Sequence, residues 1–332
     1  MSVRCVALLS GGLDSMLAIR LMQEQGIEVE ALNFKTIFTC CQDVSAQAAR
    51  DLGVRLTVVT QDDDYLDLVR RPRFGYGKGA NPCVDCRIFM FQIADRFMRD
   101  VGARFVVSGE VVGQRPMSQK RRDLDIISHH SGLKDLLLRP LSAKLLPPTL
   151  PEREGIVDRE KLCAVRGRSR KDLIELADRL GITHIPTPST GCALTEPQFG
   201  RKVHDLVQLD PGAQRWDFEL LKTGRHFRHS TDTKVVLGRN EVENETLRYM
   251  HSLPEAASRA HLEPHNFLGP TVLVIGPPTH DAIAFASGLI LRYAKHYDPL
   301  DAQVRVDTAE GSHVIRAEPT PESDDARTLA TV

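Results

Sequence analysis

No stretch of this 332-residue chain approaches the ~18 consecutive apolar residues of a membrane-spanning helix, and the opening apolar run turns polar too soon for a secretory signal. Aromatic residues make up only 5%, tryptophan occurs once, and the formal charge is nearly balanced at -1. These absences argue against a membrane anchor and against a uniformly basic nucleic-acid binder, and the expected location is the cytoplasm. In that setting the seven cysteines do not read as a disulfide framework. Two common phosphate-binding signatures are also missing. The glycine turn near the start has no lysine, which excludes G-x-x-x-x-G-K-[ST], and G-x-G-x-x-G does not occur. What remains is 42% hydrophobic and 26% charged, the balance of an ordinary globular protein long enough for two domains.

The apolar run Val3 to Leu9 breaks into Ser10-Gly11-Gly12-Leu13-Asp14-Ser15, after which Leu13, Leu17 and Leu21 repeat at helical spacing. A glycine turn between a strand and a helix lets backbone N–H groups close on an anion at the positive end of the helix dipole. Ser10 and Ser15 add hydroxyl donors, and Asp14 is suited to a Mg²⁺ ion or its waters.

Further strands are expected at Val29 to Phe34, Arg55 to Thr60 and Arg104 to Ser108, alternating with helices through Ala46 to Leu52 and from Met90 to Val101. Such alternation predicts an α/β fold, a doubly wound parallel sheet with ligands at the carboxyl ends of its strands. Asn33 and Phe34 fall at one such end, where they can border an adenine. Ser108-Gly109-Glu110 through Gln114 to Gln119 forms a second polar glycine loop at the same edge. The glycine-rich stretch Phe74 to Pro82 is expected to be mobile, and Leu145 to Pro151 irregular.

Beyond about Asp205 the pattern changes to a smaller C-terminal α+β unit, with strands at 234–239, 271–275, 304–306 and 313–315 and a helix over 281–297. Domains are therefore expected at 1–205 and 206–316. Residues 317–332, acidic and proline-bearing, read as a disordered tail. Three basic clusters stand out against the neutral whole: Arg115, Lys120, Arg121 and Arg122; Arg166, Arg168, Arg170 and Lys171; and Lys222, Arg225, His226, Arg228 and His229. Together they suggest a polyanion-binding surface.

Cys83 and Cys86 form a C-x-x-C at the start of a helix, whose dipole favours thiolates, and Cys192 follows alone after a glycine. No second pair or spaced histidines complete a zinc ribbon. Three thiolates suit an iron–sulfur cluster with one iron uncovered by protein, a structural zinc with a fourth ligand elsewhere, or a persulfide pair of Cys83 and Cys192. Cys40 and Cys41 stand adjacent, and Cys5 and Cys163 lie in apolar surroundings.

The Ser10 to Ser15 loop resembles the SGG-x-DS signature of PP-loop ATP pyrophosphatases. With Ser108-Gly109-Glu110, Gly113-Gln114, Ser118-Gln119 and Leu138-Arg139-Pro140-Leu141, it is similar to the adenylation domain of tRNA 4-thiouridine synthetases. Asn81-Pro82-Cys83-x-x-Cys86 with a distant third cysteine resembles tRNA 2-thiouridylases. The resemblance implies ATP-dependent tRNA thiolation, in which a uridine carbonyl oxygen is adenylated and sulfur then displaces AMP; the alternatives are a PP-loop ligase acting on a small molecule and a non-catalytic RNA-binding factor with a nucleotide-binding fold. ATP would lie on Ser10, Gly11, Gly12, Leu13, Asp14, Ser15, Asn33, Phe34, Ser108, Gly109 and Gln114. Asp14, Cys83 and Cys192 would be catalytic, and Cys83, Cys86 and Cys192 would hold a 4Fe-4S cluster, or zinc, or act as persulfide carriers without metal. The implied partners are tRNA and a sulfur donor, either desulfurase-derived or inorganic sulfide, and a homodimer is allowed for. Gly224-Arg225-His226-Phe227-Arg228, Val236 to Asn240 with Asn244, and Gly269-Pro270 resemble the NFACT RNA-binding domain. That domain and the basic clusters, including Arg225 and Arg228, are expected to hold the RNA in place of the N-terminal THUMP domain usual in 4-thiouridine synthetases.

Overall fold

A computed structural model describes residues 3–39, 44–61, 63–187 and 192–331. The chain divides into two units, Met1–Ala193 and Leu194–Val332. Among the described residues no helix is long and apolar enough to cross a membrane. Cys40, Cys41, Thr190 and Gly191 lie outside the described residues.

The first unit runs β1 (Arg4–Leu8), α1 (Leu13–Gln23), β2 (Glu28–Lys35), α2 (Val44–Leu52), β3 (Arg55–Thr60), α3 (Asp63–Arg70), α4 (Cys83–Asp100), β4 (Phe105–Val107), α5 (Arg121–His130), β5 (Leu137–Leu138), α6 (Leu150–Arg153) and α7 (Lys171–Arg179). Its sheet is parallel throughout, in the order β3-β2-β1-β4-β5. Strand alternation sends successive residues of β1 to opposite faces. Cys5 and Ala7 join Leu17, Met22, Phe105, Val107 and Leu173 on one side, while Val6 and Leu8 join Leu32, Phe91, Met98 and Val106 on the other. Burial on both faces explains why the strands read as near-continuous apolar runs. Because β1 pairs with both β2 and β4, the chain leaves the sheet in opposite senses on either side of it, and a crevice opens at the carboxyl ends there.

Leu145 to Pro151 is more regular than expected. It enters α6 through a capping box of Thr149 and Glu152, with Pro151 in the first turn. The stretch 72–81 is likewise tied down. The Asp85 carboxylate accepts the N–H groups of Arg73 (3.1 Å) and Phe74 (2.9 Å), and Gly77 N–H donates to the Asn81 carbonyl at 2.7 Å.

The second unit contains α8 (Pro197–Leu209), α9 (Arg215–Leu220), β6 (Arg225–Arg228), β7 (Lys234–Leu237), α10 (Glu241–Ser252), β8 (Ser258–Pro264), β9 (Val272–Ile275), α11 (His280–Tyr293), β10 (Gln303–Thr308), β11 (Gly311–Arg316) and α12 (Pro321–Asp325). Its antiparallel sheet has the order β11-β10-β8-β9-β7-β6. α11 covers one face through Phe285, Ala286 and Leu289 against Val235, Leu262 and Val274. Trp216, Leu247 and Met250 cover the other against Val236 and Leu273, and the Trp216 indole N–H donates to the Met250 carbonyl at 2.9 Å.

Two expectations about this unit change. The position expected as a boundary, 205, falls inside α8, which belongs to the second unit. Residues 317–331 are an ordered part of the fold rather than a loose tail. Ala317 and Ser323 are buried, Arg292 holds the carbonyls of Ser323 and Ala326, and Leu329 N–H donates to the His226 carbonyl at 2.8 Å. Composition misleads here because a few small side chains suffice for docking: Ser323 packs directly over Gly288 of α11.

Lys234 is buried within β7, only 2% exposed, and its ammonium takes no hydrogen bond among the described residues. Burial first, then the Arg228 charge, pull its pKa from 10.5 to about 8, against the opposing pull of Asp217 and Asp205. The folded chain thus releases this proton near pH 8 and the unfolded chain only near 10.5, so this residue makes folding more favourable as pH climbs through that window. Denaturant titrations from pH 7.5 to 10 should show a gain attributable to Lys234 of about 2 kcal/mol. Lys234→Met should flatten that rise.

Candidate functional site

The turn after β1 is shaped by close backbone approach. Gly11 has φ +80°, and a Cβ there would meet the Val44 carbonyl carbon at 2.7 Å. Gly12 then caps α1 without any side-chain hydrogen bond to the first-turn N–H groups, leaving the helix start open to an anion. Ser15 Oγ donates to the Gly12 carbonyl at 2.8 Å and lies 3.4 Å from Ser10 Oγ, while Ser10 itself is exposed. Leu13 is core, 3% exposed, so it can offer a ligand only its backbone. Asn33 and Phe34 are occupied structurally. The Asn33 amide donates to the Leu9 carbonyl at 2.7 Å, and Phe34 is buried beside Leu8, Leu32 and Ile88.

The loop after β4 closes against this turn. A Cβ on Gly109 would stand 2.5 Å from the Asp14 carbonyl, so only glycine lets the two segments meet. Ser108 is buried and its hydroxyl accepts the Glu110 N–H at 3.2 Å. Gln114 Nε2 donates to the Asp14 carboxylate at 3.0 Å. Behind the loop, buried Glu110 accepts from Arg139 at 2.9 Å and pairs with Arg87 at 3.6 Å. Arg87 directly follows Cys86, so this network joins the Ser10–Ser15 turn to the cysteine helix.

Cys83 and Cys86 sit in the first turn of α4. Tyr65 of α3, 3% exposed, donates its hydroxyl to Cys86 Sγ at 3.4 Å. Cys192 Sγ lies 3.8 Å from the Phe38 carbonyl, and the Phe38 ring lies 6.3 Å from that of Tyr65. Burial, then Cys86, Cys192 and Cys83 in that order, raise the pKa of the Tyr65 phenol well above its usual value. Of the three thiols, Cys86 is the one hydrogen-bonded to the phenol. Burial raises both Cys83 and Cys86 above the ordinary thiol range. The expected stabilisation of thiolates by the helix start is outweighed, because desolvation of a charge exceeds what a helix dipole returns. Among the described residues no three His, Cys, Asp or Glu side chains are grouped closely enough to hold a metal ion.

The first two basic clusters meet. Val112 and Arg166 form a parallel bridge, and Gly167 N–H donates to the Val112 carbonyl at 2.8 Å. Arg115, Lys120, Arg121, Arg122, Arg166, Arg168 and Lys171 are exposed around this junction, with Arg170 half-buried. In the second unit three of the cluster's basic residues are engaged internally, whereas Lys222 is exposed. Arg228 is paired with Asp205, Arg225 lies over the Tyr293 ring at 4.7 Å, and His226 is buried, with burial and then Lys202 and Lys234 holding its pKa well below the usual value.

With this geometry in place, residues 1–144 match the family model described as thiamine biosynthesis protein (ThiI). Residues 224–327 match the NFACT protein RNA binding domain. The resemblance to the thiouridine synthetase group stands. A "Probable tRNA sulfurtransferase" of Thermococcus kodakarensis is 30% identical over 142 residues, covering 42% of this chain and 36% of that protein. A tRNA-specific 2-thiouridylase MnmA of Sulfurimonas denitrificans is 31% identical over 121 residues, covering 34% and 36%. The chain therefore spans about a third of the length of these curated relatives. A solved 4-thiouridine synthetase–RNA complex with bound ATP aligns with 20% identity and a TM-score of 0.32, over 54% of this chain and 52% of that one. The NFACT match runs beyond residue 316 and so includes the docked C-terminal segment.

Tyr65, Asp85 and Arg87 were not among the residues singled out in the sequence, although Asp85 lies between the two cysteines and Arg87 beside them. Gly109→Ala tests the packing of the site. The added methyl must displace the Asp14 backbone, which should cost about 1–3 kcal/mol of stability and at least tenfold in ATP affinity. Chemical denaturation and calorimetric titration check the two effects.

Proposed function

We propose that the chain catalyses ATP-dependent thiolation of a uridine in tRNA. One observation carries this reading: the loop 109–119 touches Asp14 on one side and the surroundings of Cys83 on the other. Gln114 bonds Asp14, and a Cβ built on Gly77 would stand 3.2 Å from Met117 Cβ and 3.3 Å from Cys83 Sγ. The turn that would take the nucleotide and the cysteine that would handle sulfur thus lie against one loop. The family matches of both units and the relatives named for tRNA thiolation support the same reading.

ATP would lie with its phosphates on the Gly11, Gly12 and α1 N–H groups, and Asp14 would hold Mg²⁺ or its waters. The uridine carbonyl oxygen attacks the α-phosphorus, its bond to phosphorus forms, and pyrophosphate leaves. Sulfur then attacks the carbon bearing the adenylated oxygen; the C–O bond breaks and AMP departs with the oxygen and the bonding pair. Hydrosulfide gives the thiocarbonyl directly, its proton passing to the ring nitrogen. A cysteine persulfide instead needs a second cysteine to cleave the S–S bond, leaving an enzyme disulfide that a dithiol reductant must reopen.

Cys83, Cys86 and Cys192 would handle the sulfur. Three thiolates are the donor set of a 4Fe-4S centre, which when bound would supply an iron free of protein ligand to carry sulfide, but among the described residues the three are not grouped closely enough to hold a metal ion without a change in their spacing. A persulfide pair of Cys83 and Cys192 uses the same residues without metal. Lys120, Arg121, Arg122, Arg166, Arg168 and Lys171, exposed around the Val112 and Arg166 junction, would hold tRNA by its phosphates.

Cys192→Ala should abolish thiouridine formation, read by mass spectrometry of digested tRNA, while tRNA-dependent AMP formation persists. Continued thiolation by this variant removes Cys192 from the reaction. Absence of tRNA-dependent AMP formation by the unaltered chain would overturn the adenylation step.

A further inference from the structure

Arg115 stands in the basic cluster read from the sequence as an RNA contact, yet its position in the fold is different in kind from that of its neighbours. Its loop is held rigidly: Gly113 N–H donates to the Gln119 carbonyl at 2.6 Å, and Arg115 N–H donates to Gln119 Oε1 at 3.1 Å. The preceding residue, Gln114, is bonded to Asp14 at 3.0 Å, and Met117, two residues later, flanks Gly77 together with Cys83. Arg115 is therefore placed between the nucleotide turn and the first cysteine. Burial first, and then the Arg87 charge, hold its guanidinium below the usual pKa, against the opposing pull of Asp14, Cys83 and Glu110. Among the described residues no carboxylate lies within ion-pair distance of it, whereas Arg87 is held by Glu110 at 3.6 Å. A guanidinium without an ion-pair partner, on a loop held against Asp14 and tied through Glu110 to a second guanidinium, Arg87, makes a place for an anion.

We propose that Arg115, backed by Arg87, grips the phosphate of the adenylyl group while sulfur displaces it, and so acts as a catalytic residue rather than an RNA contact. This rests on the adenylation reading above. In the displacement, negative charge accumulates on the departing AMP as the C–O bond breaks, and a guanidinium fixed beside it stabilises the transition state more than the ground state. Pyrophosphate, which leaves in the first step, is not what Arg115 would hold.

Calorimetric titration of the full chain with AMP and with adenosine reads the grip without the reaction. Arg115→Ala should reduce the preference for AMP over adenosine at least tenfold, Arg115→Lys should restore part of it, and filter binding of tRNA should stay within twofold of the unaltered chain. At saturating tRNA and ATP, kcat for thiolation should fall by about 10²–10³. An unchanged AMP preference overturns the proposal, and if tRNA affinity drops tenfold instead, Arg115 is the RNA contact its cluster suggests. A chain that shows the Arg115-dependent AMP preference but puts no sulfur into tRNA keeps the phosphate grip and loses the thiolation reading.

Discussion

The closeness of Gly109 to the first turn of α1 governs the rest of the first unit. With no Cβ at 109, the carboxyl end of β4 lies directly against the backbone of Asp14, at a distance where any other residue would clash. That contact sets the position of the following loop, which allows Gln114 to reach the Asp14 carboxylate and Met117 to lie by Gly77 and Cys83. The buried Glu110, clamped between Arg139 and Arg87, fixes the same loop from behind. A charged group this deep is tolerable only with its partners in place, so the network favours one arrangement of loop and cysteine helix over others.

The sulfur centre shows two physical effects in opposition. A helix start favours thiolates, whereas a buried, aromatic-lined setting penalises them, and here burial prevails at Cys83 and Cys86. Tyr65 moderates this at Cys86 by donating a hydrogen bond to its sulfur. Asp85, whose carboxylate is spent on two backbone N–H groups of the 72–81 stretch, holds the segment that leads into the pair. The C-x-x-C is thus anchored from both of its intervening and flanking sides before any ligand is considered.

Much of this was legible in the chain. The apolar run of β1 marked that strand nearly residue for residue, since a parallel strand buried on both faces leaves a continuous signal, and β2 and β3 were read within a residue of their bounds. The Ser10 to Ser15 turn and the 108–119 loop were correctly brought to one edge, because alternating strands and helices leave little topological choice. Roles that depend on which side chain faces which were less readable. Asn33 and Phe34 sit at the right strand end, yet one ties down the turn and the other packs in the core. Arg228 counts as a cation in composition, but Asp205, distant in sequence, neutralises it. Tyr65 lies in a short helix with no motif, and its hydrogen bond to Cys86 is a product of tertiary packing alone. The C-terminal segment looked disordered because its docking relies on Ser323 and Ala317, small residues that carry almost no hydropathy signal.

The central claim is that the nucleotide turn and the cysteine centre form one site. Hydrogen exchange read by mass spectrometry, with and without a non-hydrolysable ATP analogue, tests it directly when paired with iodoacetamide labelling of Cys83. The account predicts slowed exchange in both 10–16 and 109–119 and reduced labelling of Cys83 in the presence of the analogue. Protection confined to 10–16, with Cys83 labelled as before, would contradict it.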